Sequence, residues 1–258
     1  MKFGVCTGAE NLHAVERAGY DYIELNLASL TALDAESFSR LADTFDASGI
    51  KAESYNCFFP GGFSLVGENF DAERISAYVE KALARAARLG GKVAVLGSGG
   101  ARNIPEGFDR KTAEEQLISV LRICGDIAKY HGMIIVVEPL NSEETNLVNT
   151  VADGLDFAAR AAHPCVFCLA DFFHVLKSGE SLDAIKNSGG ALRHIHIAGP
   201  NRTFYPELEE NRALVKSWAD ALKSCGYDGR VSLEGHFAED FYNDVKNTKL
   251  LLDEIFES

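Results

Sequence analysis

Short apolar runs alternate with longer amphipathic stretches along the chain. Each run is rich in β-branched or aromatic residues and is bounded by loop-like sequence, which is typical of buried strands. Strands that alternate with helical patterns predict parallel βαβ units, and eight such units in 258 residues match the size of a closed barrel. We therefore predict an α/β fold, a single-domain (β/α)8 TIM barrel, with strands at Phe3–Cys6, Tyr22–Leu25, Ala52–Tyr55, Val93–Leu96, Ile134–Glu138, Val166–Asp171, Leu192–Ile197 and Val231–Glu234.

The amphipathic stretches begin and end with residues that are typical of helix termini. Asp34 and Asp71 precede two of them, and Gly49 and Gly90 follow the same two. Aspartate side chains cap the free N–H groups of a first turn, and glycine adopts the left-handed conformation that ends many helices. Two further helices are predicted at Lys111–His131 and Glu209–Cys225, with Gly132 and Gly226 at their ends.

No linker or low-complexity tract interrupts this pattern, so we predict one domain over residues 1–258. The alternative α/β architecture is a doubly wound open sheet, which usually has fewer strands and a glycine-rich first turn. The first turn here reads CTGAEN and lacks the GxGxxG spacing of that fold. The closed barrel is therefore the better interpretation.

Four polar side chains lie at the carboxyl ends of four apolar runs: Glu138 in IIVVEPLN, Asp171 in VFCLADFFH, His196 in LRHIHIAG and Glu234 in VSLEGHF. In a barrel of parallel strands these ends meet at one rim, where the active sites of this architecture lie. Three carboxylates and one imidazole make an oxygen-rich set suited to a divalent cation. We therefore predict that these four residues bind one divalent metal ion, for which Mn, Mg, Co and Zn are all compatible.

A metal held by two glutamates favours proton-transfer chemistry. A divalent ion polarises a carbonyl and an adjacent hydroxyl of a bound sugar, and so stabilises an enediolate as a C–H proton leaves. Glu138 and Glu234 are the candidate acid/base pair that removes and returns this proton. The same arrangement permits an aldose–ketose shift or an epimerisation, depending on which carbon is deprotonated.

Two loops at the predicted rim have functions that the sequence leaves open. Asn56–Asn69 is long and rich in phenylalanine, and it either caps a rim pocket or packs on the barrel top. Gly97–Asn103 either binds an anion through backbone N–H groups and Arg102, or forms a tight turn. Glu24, at the end of the second strand, is a rim residue without an assigned role.

Charge and targeting signals narrow the class of partner. The formal net charge of −13 opposes binding to nucleic-acid phosphates and to anionic membrane surfaces. The start, MKFGVCTGAE, lacks the apolar stretch of a signal peptide, and no apolar run reaches the ~20 residues of a transmembrane helix. We therefore expect a cytoplasmic protein with a small-molecule ligand, which binds neither nucleic acid nor membrane.

The six cysteines are scattered, and only Cys165 and Cys168 form a CxxC pair. This pair lies in a predicted strand, where residues three apart point to opposite faces, whereas a redox CxxC opens a helix. We expect buried or inert thiols.

The polar residues of the second half resemble the motifs of a known family. The chain is similar to the sugar phosphate isomerases/epimerases with a xylose-isomerase-like TIM barrel, and most similar to the ketose 3-epimerase (D-tagatose/D-psicose 3-epimerase) branch. The resemblance covers the whole chain but is sharp only from the fifth strand onward. The matched residues, strand by strand, are Glu138, Asn141, Glu144 and Asn149, then Asp171 and His174, then His194, His196, Asn201 and Arg202, and finally Glu234.

This resemblance implies the same four metal ligands and the same acid/base pair as the strand-end argument. It further implies that Glu144, His174 and Arg202 contact sugar hydroxyls. The ligand would be a small-molecule sugar or sugar phosphate, and analogy with the family suggests a homodimer or homotetramer.

The chain departs from this branch after the seventh strand. An acidic residue often lies between the histidine and the N-R pair, whereas this chain reads IAGP at residues 197–200. Other functions therefore stay open. A dehydratase of the same barrel family, of the 3-dehydroshikimate or inosose type, would share the deprotonation and then lose water.

Two further alternatives are less favoured. An endonuclease IV-type DNA-repair enzyme uses histidines on the third and fourth strands, where this chain reads KAESYN and VAVLGSGG. Its acidic charge also opposes DNA binding. A non-catalytic sugar-binding barrel would bind metal without exchanging substrate protons.

Overall fold

Eight parallel strands close into a ring in the computed structural model, which describes residues 1–257. Each strand pairs with its neighbours in sequence, and the last strand pairs with the first. The predicted TIM barrel is thus confirmed, and each strand boundary lies within one residue of its predicted place. The strands are β1 (Lys2–Cys6), β2 (Tyr22–Asn26), β3 (Lys51–Asn56), β4 (Val93–Leu96), β5 (Ile134–Val137), β6 (Val166–Asp171), β7 (Leu192–Ile197) and β8 (Arg230–Leu233).

Helices connect the strands and pack against the barrel and one another. The longer ones carry an apolar face inward, as their buried residues show. Within the described residues the helices are α1 (Leu12–Arg17), α2 (Leu27–Ala32), α3 (Ala35–Ala47), α4 (Ala72–Arg88), α5 (Gly99–Arg102), α6 (Arg110–Tyr130), α7 (Val151–Ala161), α8 (Phe172–Lys177), α9 (Asp183–Lys186), α10 (Glu207–Glu210), α11 (Arg212–Ser224) and α12 (Phe241–Glu257).

The predicted aspartate caps are confirmed, but one predicted helix is wrong. Asp34 and Asp71 each accept a hydrogen bond from a backbone N–H of the first turn that follows. The stretch predicted as one helix, Glu209–Cys225, is divided at Asn211 into α10 and α11. The Asn211 side chain donates to the carbonyl of Glu207 (2.9 Å), and the backbone angles of Asn211 (φ −104°, ψ 25°) are not helical. Helix α10 therefore ends before Asn211, and α11 begins after it.

The barrel interior is filled differently in its two halves. On β4–β6 it holds an apolar cluster of Val93, Val95, Val136 and Leu169, each 0–1% exposed. The strands β2, β3, β7 and β8 contribute buried polar and aromatic side chains instead: Tyr22, Glu24, Ser54, His194 and Ser232.

An ion-pair cluster lies at the amino ends of the strands. Lys2 and Arg230, the first residues of β1 and β8, both donate to the carboxylate of Glu53. The Lys2 Nζ–Oε1 distance is 2.8 Å, and the Arg230 Nε–Oε2 distance is 2.7 Å. Although burial raises it, these two cations hold the pKa of Glu53 below its ordinary value.

The aromatic loop after β3 packs on the barrel top. Phe58 and Phe59 are buried and stack on each other with centroids 4.8 Å apart. Tyr78 on α4 contacts Phe59 and donates its O–H to the carbonyl of Phe58 (2.7 Å). Of the two readings for Asn56–Asn69, the packed loop is therefore favoured for its aromatic part.

The anion-binding reading of the glycine-rich loop is wrong for Arg102. The loop forms α5, and the guanidinium of Arg102 is fully buried. It donates to the carbonyls of Leu96 (3.1 Å), Glu138 (2.7 Å) and Val148 (3.4 Å). Arg102 therefore ties three rim segments together and has no exposed donor for an anion.

All six cysteines are free thiols. Cys168 is buried within β6, and burial raises the pKa of its thiol well above the ordinary value, as expected for an inert group. Cys57, in contrast, is exposed. Among the described helices, none is both long and apolar enough to cross a membrane.

Candidate metal centre

The fold brings together the four strand-end residues predicted as metal ligands. One donor atom from each of Glu138, Asp171, His196 and Glu234 lies within 4.8 Å of the others. His196 Nδ1 is 3.2 Å from Glu138 Oε1 and 3.3 Å from Glu234 Oε2. The Asp171 Oδ2 atom is buried and has no hydrogen-bond partner.

The cluster holds three carboxylates close together, and this excess of negative charge suits a cation. Burial and the charge of Glu234 raise the pKa of Glu138, and they raise the pKa of Asp171 to about 8. Burial also acts on Glu234, but His196 and Arg202 outweigh it and lower the pKa of Glu234 to about 2. Three carboxylates converge here, and one of their oxygens, Asp171 Oδ2, has no hydrogen-bond partner. This arrangement fits a divalent cation, which would relieve the repulsion between the carboxylates.

Local backbone chemistry lets Glu138 enter the cluster. Glu138 follows β5 directly, and its carboxylate lies over Gly97 at the end of β4. A Cβ at Gly97 would lie 2.2 Å from Glu138 Oε2, so this close approach requires glycine. The guanidinium of Arg102 donates a hydrogen bond to the backbone carbonyl of Glu138 (2.7 Å) and so fixes the backbone at this position.

Glu24, which the sequence left without a role, lies directly behind His196. Its buried carboxylate accepts hydrogen bonds from His196 Nε2 (2.9 Å), His194 Nε2 (2.8 Å) and Ser232 Oγ (2.5 Å). Although burial lowers it, Glu234 and Glu24 hold the pKa of His196 well above its ordinary value, so the imidazole is doubly protonated: Nε2 donates to Glu24, and Nδ1 faces Glu138 Oε1 and Glu234 Oε2. A bound cation would take the place of the Nδ1 proton. Although burial raises it, the two imidazoles hold the pKa of Glu24 well below its ordinary value.

Further hydrogen bonds fix this network within the barrel. The Tyr22 hydroxyl lies 2.7 Å from Ser232 Oγ, and the Ser54 hydroxyl lies 3.2 Å from His194 Nε2. The alternation of side chains along β2 could have indicated that Glu24 points into the barrel, because Tyr22 and Glu24 are two residues apart and share the inward face of the strand. The partners of Glu24 lie 170 or more residues away in sequence, so the sequence alone did not identify them.

His174 lies beside the cluster as a neutral hydrogen-bond donor. Burial, with the charge of Arg202, lowers the pKa of His174 to about 3. Its Nδ1 lies 2.9 Å from the side-chain amide nitrogen of Asn141, which donates to it. The proton of His174 is therefore on Nε2, which is buried without a hydrogen-bond partner and lies 3.5 Å from Asp171 Oδ2.

Glu144 and Arg202, the other predicted sugar contacts, lie at the mouth of the same site. The Arg202 guanidinium donates to Glu234 Oε2 (3.0 Å), lies 3.9 Å from Glu144 Oε1 and covers the ring of Phe173. Glu144 also accepts from the Asn141 amide (2.9 Å). Both remain partly exposed, so each presents polar atoms to a ligand.

The loop that carries Arg202 is braced by an acid that the sequence comparison missed. Glu207 on α10 accepts hydrogen bonds from the backbone N–H groups of Asn201 (3.0 Å) and Thr203 (3.3 Å). Its carboxylate lies against Gly199, where a Cβ would be 2.2 Å from Oε2. Glu207 thus places a carboxylate against this loop although residues 197–200 contain no acid.

Asn56 is a further residue of the site that sequence reasoning did not single out. Its side-chain amide donates to Glu234 Oε1 at 2.7 Å. As the last residue of β3, it reaches the rim like the four predicted ligands. Only its position at a strand end could have indicated this role.

Unusual backbone conformations cluster around the rim. Four non-glycine residues of the rim loops have positive φ angles: Cys57 (48°), Ser98 (39°), Val148 (65°) and Arg202 (60°). Such conformations are unfavourable for residues with a Cβ and are maintained by surrounding contacts, often at functional sites. Their positions coincide with the loops that surround the carboxylate cluster.

Proteins of similar sequence and structure have been characterised. D-psicose 3-epimerase of Ruminiclostridium cellulolyticum is 30% identical over 128 residues, which cover 49% of this chain and 43% of that protein. L-ribulose 3-epimerase of Methylomonas sp. is 24% identical over 236 residues, which cover 90% of this chain and 79% of that protein. The crystal structure of D-psicose 3-epimerase in the presence of D-fructose shares the fold, with a TM-score of 0.84, 19% identity and 100% coverage of both chains.

A family-wide sequence profile matches most of the chain. The profile described as "Xylose isomerase-like TIM barrel" matches residues 12–253, nearly the full length of the closed barrel seen in the structure. The chain therefore belongs to the xylose isomerase-like TIM barrel family.

Proposed function

We propose that the protein is a metal-dependent sugar isomerase or epimerase, and more specifically a ketose 3-epimerase. The observation that carries this proposal is the convergence of Glu138, Asp171, His196 and Glu234 at one rim. Relatives that act as 3-epimerases on psicose and ribulose support the reaction class. The proposed substrate is a small sugar with a carbonyl next to a hydroxyl-bearing carbon.

The four strand-end residues would hold one divalent cation, with Mn, Mg, Co and Zn as candidates. When bound, the cation would polarise the sugar carbonyl and lower the barrier to losing the neighbouring C–H proton. The cation would replace the proton on His196 Nδ1, which lies 3.2 Å from Glu138 Oε1, and would give the buried Asp171 Oδ2 the partner that it lacks.

Glu138 and Glu234 would exchange the substrate proton. They follow β5 and β8, which lie three places apart in the ring of eight strands, so they approach the centre from different sides. One carboxylate would take the proton from one face of the sugar carbon, and the other would return a proton on the opposite face. That sequence inverts the carbon and gives an epimer.

The neighbouring polar groups would orient the sugar. His174 offers a neutral N–H donor at Nε2, and Arg202 offers a cationic one beside Glu234. Glu144 would accept a hydrogen bond from a hydroxyl group. Together they would fix which carbon faces the two glutamates.

Deuterium exchange tests the proposal directly. Metal-loaded protein would be incubated in D2O with free and phosphorylated ketoses and aldoses, and followed by proton NMR. Exchange at C3 of a ketose is the expected result. Exchange beside an aldehyde would indicate an aldose–ketose isomerase, and a conjugated product with loss of water would indicate a dehydratase.

Substitutions separate chemistry from metal binding. Glu138→Gln and Glu234→Gln should each lower the exchange rate about 10²–10⁴-fold, as expected for loss of a general acid or base. Asp171→Asn and His196→Ala should first lower metal affinity, measured by competition with a chelator. Glu143→Gln is the matched control, because Glu143 pairs with Lys177 at the surface next to Glu144. Near wild-type exchange in both glutamine variants would refute the mechanism.

A further inference from the structure

A large pocket opens beside the carboxylate cluster, between the ends of β1–β3 and the helices α2 and α3. Its volume is about 550 Å³, within the range of roughly 300–1,000 Å³ found for pockets that hold whole small molecules. Cys6 and Asn56 line its inner end, and Asn56 donates to Glu234. The pocket therefore lies beside the proposed reaction centre, and one of its lining residues is hydrogen-bonded to a proposed metal ligand.

Four leucine side chains line this pocket, together with the polar side chains of Thr7, Asn26, Ser29 and Ser37. Leu25 and Leu30 are buried, whereas Leu33 and Leu41 are half-buried, and all four line the pocket. A sugar hydroxyl placed against them would lose its hydrogen bonds to water without gaining a partner. This wall therefore favours a part of the ligand that has carbon in place of hydroxyl groups.

The charge of the lining opposes a phosphate group. Glu10 is its only charged residue, and no lysine, arginine or histidine of the described chain lines it. The Glu10 carboxylate lies against Gly8, where a Cβ would be 2.2 Å from Oε1, so an acid already faces the backbone of this turn. A phosphorylated end would meet a carboxylate and leucines in place of the cations it needs.

The pocket on the opposite side of the rim, in contrast, has basic residues in its lining. It is lined by Arg202 and Lys177, but these cations pair with carboxylates, Arg202 with Glu234 and Lys177 with Glu143. A phosphate there would have to displace existing ion pairs. The leucine-walled pocket has no such pairs to break and suits a neutral group.

We propose that the leucine-walled pocket binds an uncharged, partly apolar substituent of the substrate. The substrate class is then an unphosphorylated keto sugar that carries such a substituent, such as a glycoside whose sugar ring has been oxidised to a ketone. This assignment rests on the proposed function for the reaction at the carboxylate cluster. It concerns affinity for the remote part of the substrate, so binding measurements test it separately.

The probes are methyl, butyl and hexyl 3-oxo-β-D-glucopyranoside, with D-fructose and D-fructose 6-phosphate for comparison. Dissociation constants would be measured by calorimetry on the metal-loaded Glu138→Gln variant. Proton exchange would be followed on the unaltered protein, at C3 of D-fructose and at C2 or C4 of the 3-oxo glycosides, which are the carbons next to each carbonyl. The dissociation constant should fall at least about tenfold from methyl to butyl, which is less than full burial of three methylene groups allows. D-fructose 6-phosphate should bind no better than D-fructose.

Substitutions in the pocket sharpen the test. Leu41→Lys should abolish the gain from methyl to butyl and improve binding of D-fructose 6-phosphate. Ser29→Phe, at an exposed position of α2, should fill the pocket and weaken hexyl binding while leaving methyl binding within about twofold. Leu176→Lys is the matched control in the opposite pocket and should leave the alkyl series unchanged.

The outcomes separate the two proposals. An alkyl series with equal dissociation constants, or tighter binding of D-fructose 6-phosphate than of D-fructose, would overturn the pocket assignment. An alkyl trend that Leu41→Lys removes would support it. If that trend appears while no sugar exchanges a proton, the pocket assignment stands and the proposed epimerase function fails.

Discussion

The two halves of the barrel interior are filled with opposite kinds of side chain. On β4–β6 the valines and Leu169 form an apolar cluster that is closed to solvent. The half formed by β2, β3, β7 and β8 instead holds a buried carboxylate, Glu24, that accepts hydrogen bonds from two imidazoles and a hydroxyl. One half of the packed barrel interior is thus apolar, and the other half is a polar network.

We infer from this difference that the apolar half mainly stabilises the fold and that the polar half mainly supports the proposed metal site. An apolar cluster stabilises the fold by burial alone and needs no partner of fixed geometry. A buried carboxylate is unfavourable unless its hydrogen bonds are satisfied, and replacing such a network by apolar residues is often neutral for stability. We therefore infer that the polar half serves mainly to position His196. Its carboxylate, Glu24, fixes the imidazole beside the other three proposed metal ligands.

The largest effect is expected in the apolar half. Leu169→Ala should lower the free energy of unfolding by about 2–5 kcal/mol, because it opens a cavity in a fully buried cluster. Urea unfolding of the metal-free protein measures this change. Leu176→Ala, at a side chain that is 37% exposed, is the control and should change stability by less than about 1 kcal/mol. A small change at Leu169 would show that the cluster is loosely packed.

The polar half should respond in metal affinity more than in stability. Glu24→Gln removes the charge behind His196 and should weaken metal binding about 10–100-fold, as is typical when the hydrogen-bond partner of a metal-binding histidine is lost. Chelator competition with Mn²⁺ measures the affinity. Glu53→Gln is the matched control, because the same substitution at the strand amino ends has no contact with His196 among its hydrogen bonds. Unchanged metal affinity in Glu24→Gln would remove the proposed positioning role.

Sequence patterns predicted the strands and the convergence of the four strand-end side chains because both depend on local rules. β-branched runs fix each strand to within one residue, and the last inward position of a strand fixes where its side chain lies. Glu138 and Asp171 therefore needed no tertiary information beyond the closure of the barrel. The sugar-contact residues Glu144, His174 and Arg202 were found by resemblance, and their roles stay predictions.

The remaining features depend on contacts between distant segments. The role of Glu24 requires partners on β7 and β8, and Arg102 is oriented by carbonyls from three segments of the chain. A glycine-rich loop indicates accessible backbone, but it does not say where a neighbouring guanidinium points, so the predicted anion contact of Arg102 was wrong. The break at Asn211 likewise depends on a side-chain bond that helical periodicity cannot show.

The smallest expected effect lies at the amino ends of the strands, below the polar half. Lys2 and Arg230 hold the pKa of Glu53 below its ordinary value of 4.5, so the ionised carboxylate is favoured in the folded protein. The stabilisation should be fully present above pH 4.5 and should be lost as the pH falls through the lowered pKa of the folded state. Glu53→Gln should therefore lower the free energy of unfolding by about 1 kcal/mol at pH 7, and the difference from the unaltered protein should shrink toward pH 3. Urea unfolding across this range measures it, and a difference that stays constant with pH would mean that packing of the Glu53 side chain, and not its charge, stabilises this end of the barrel.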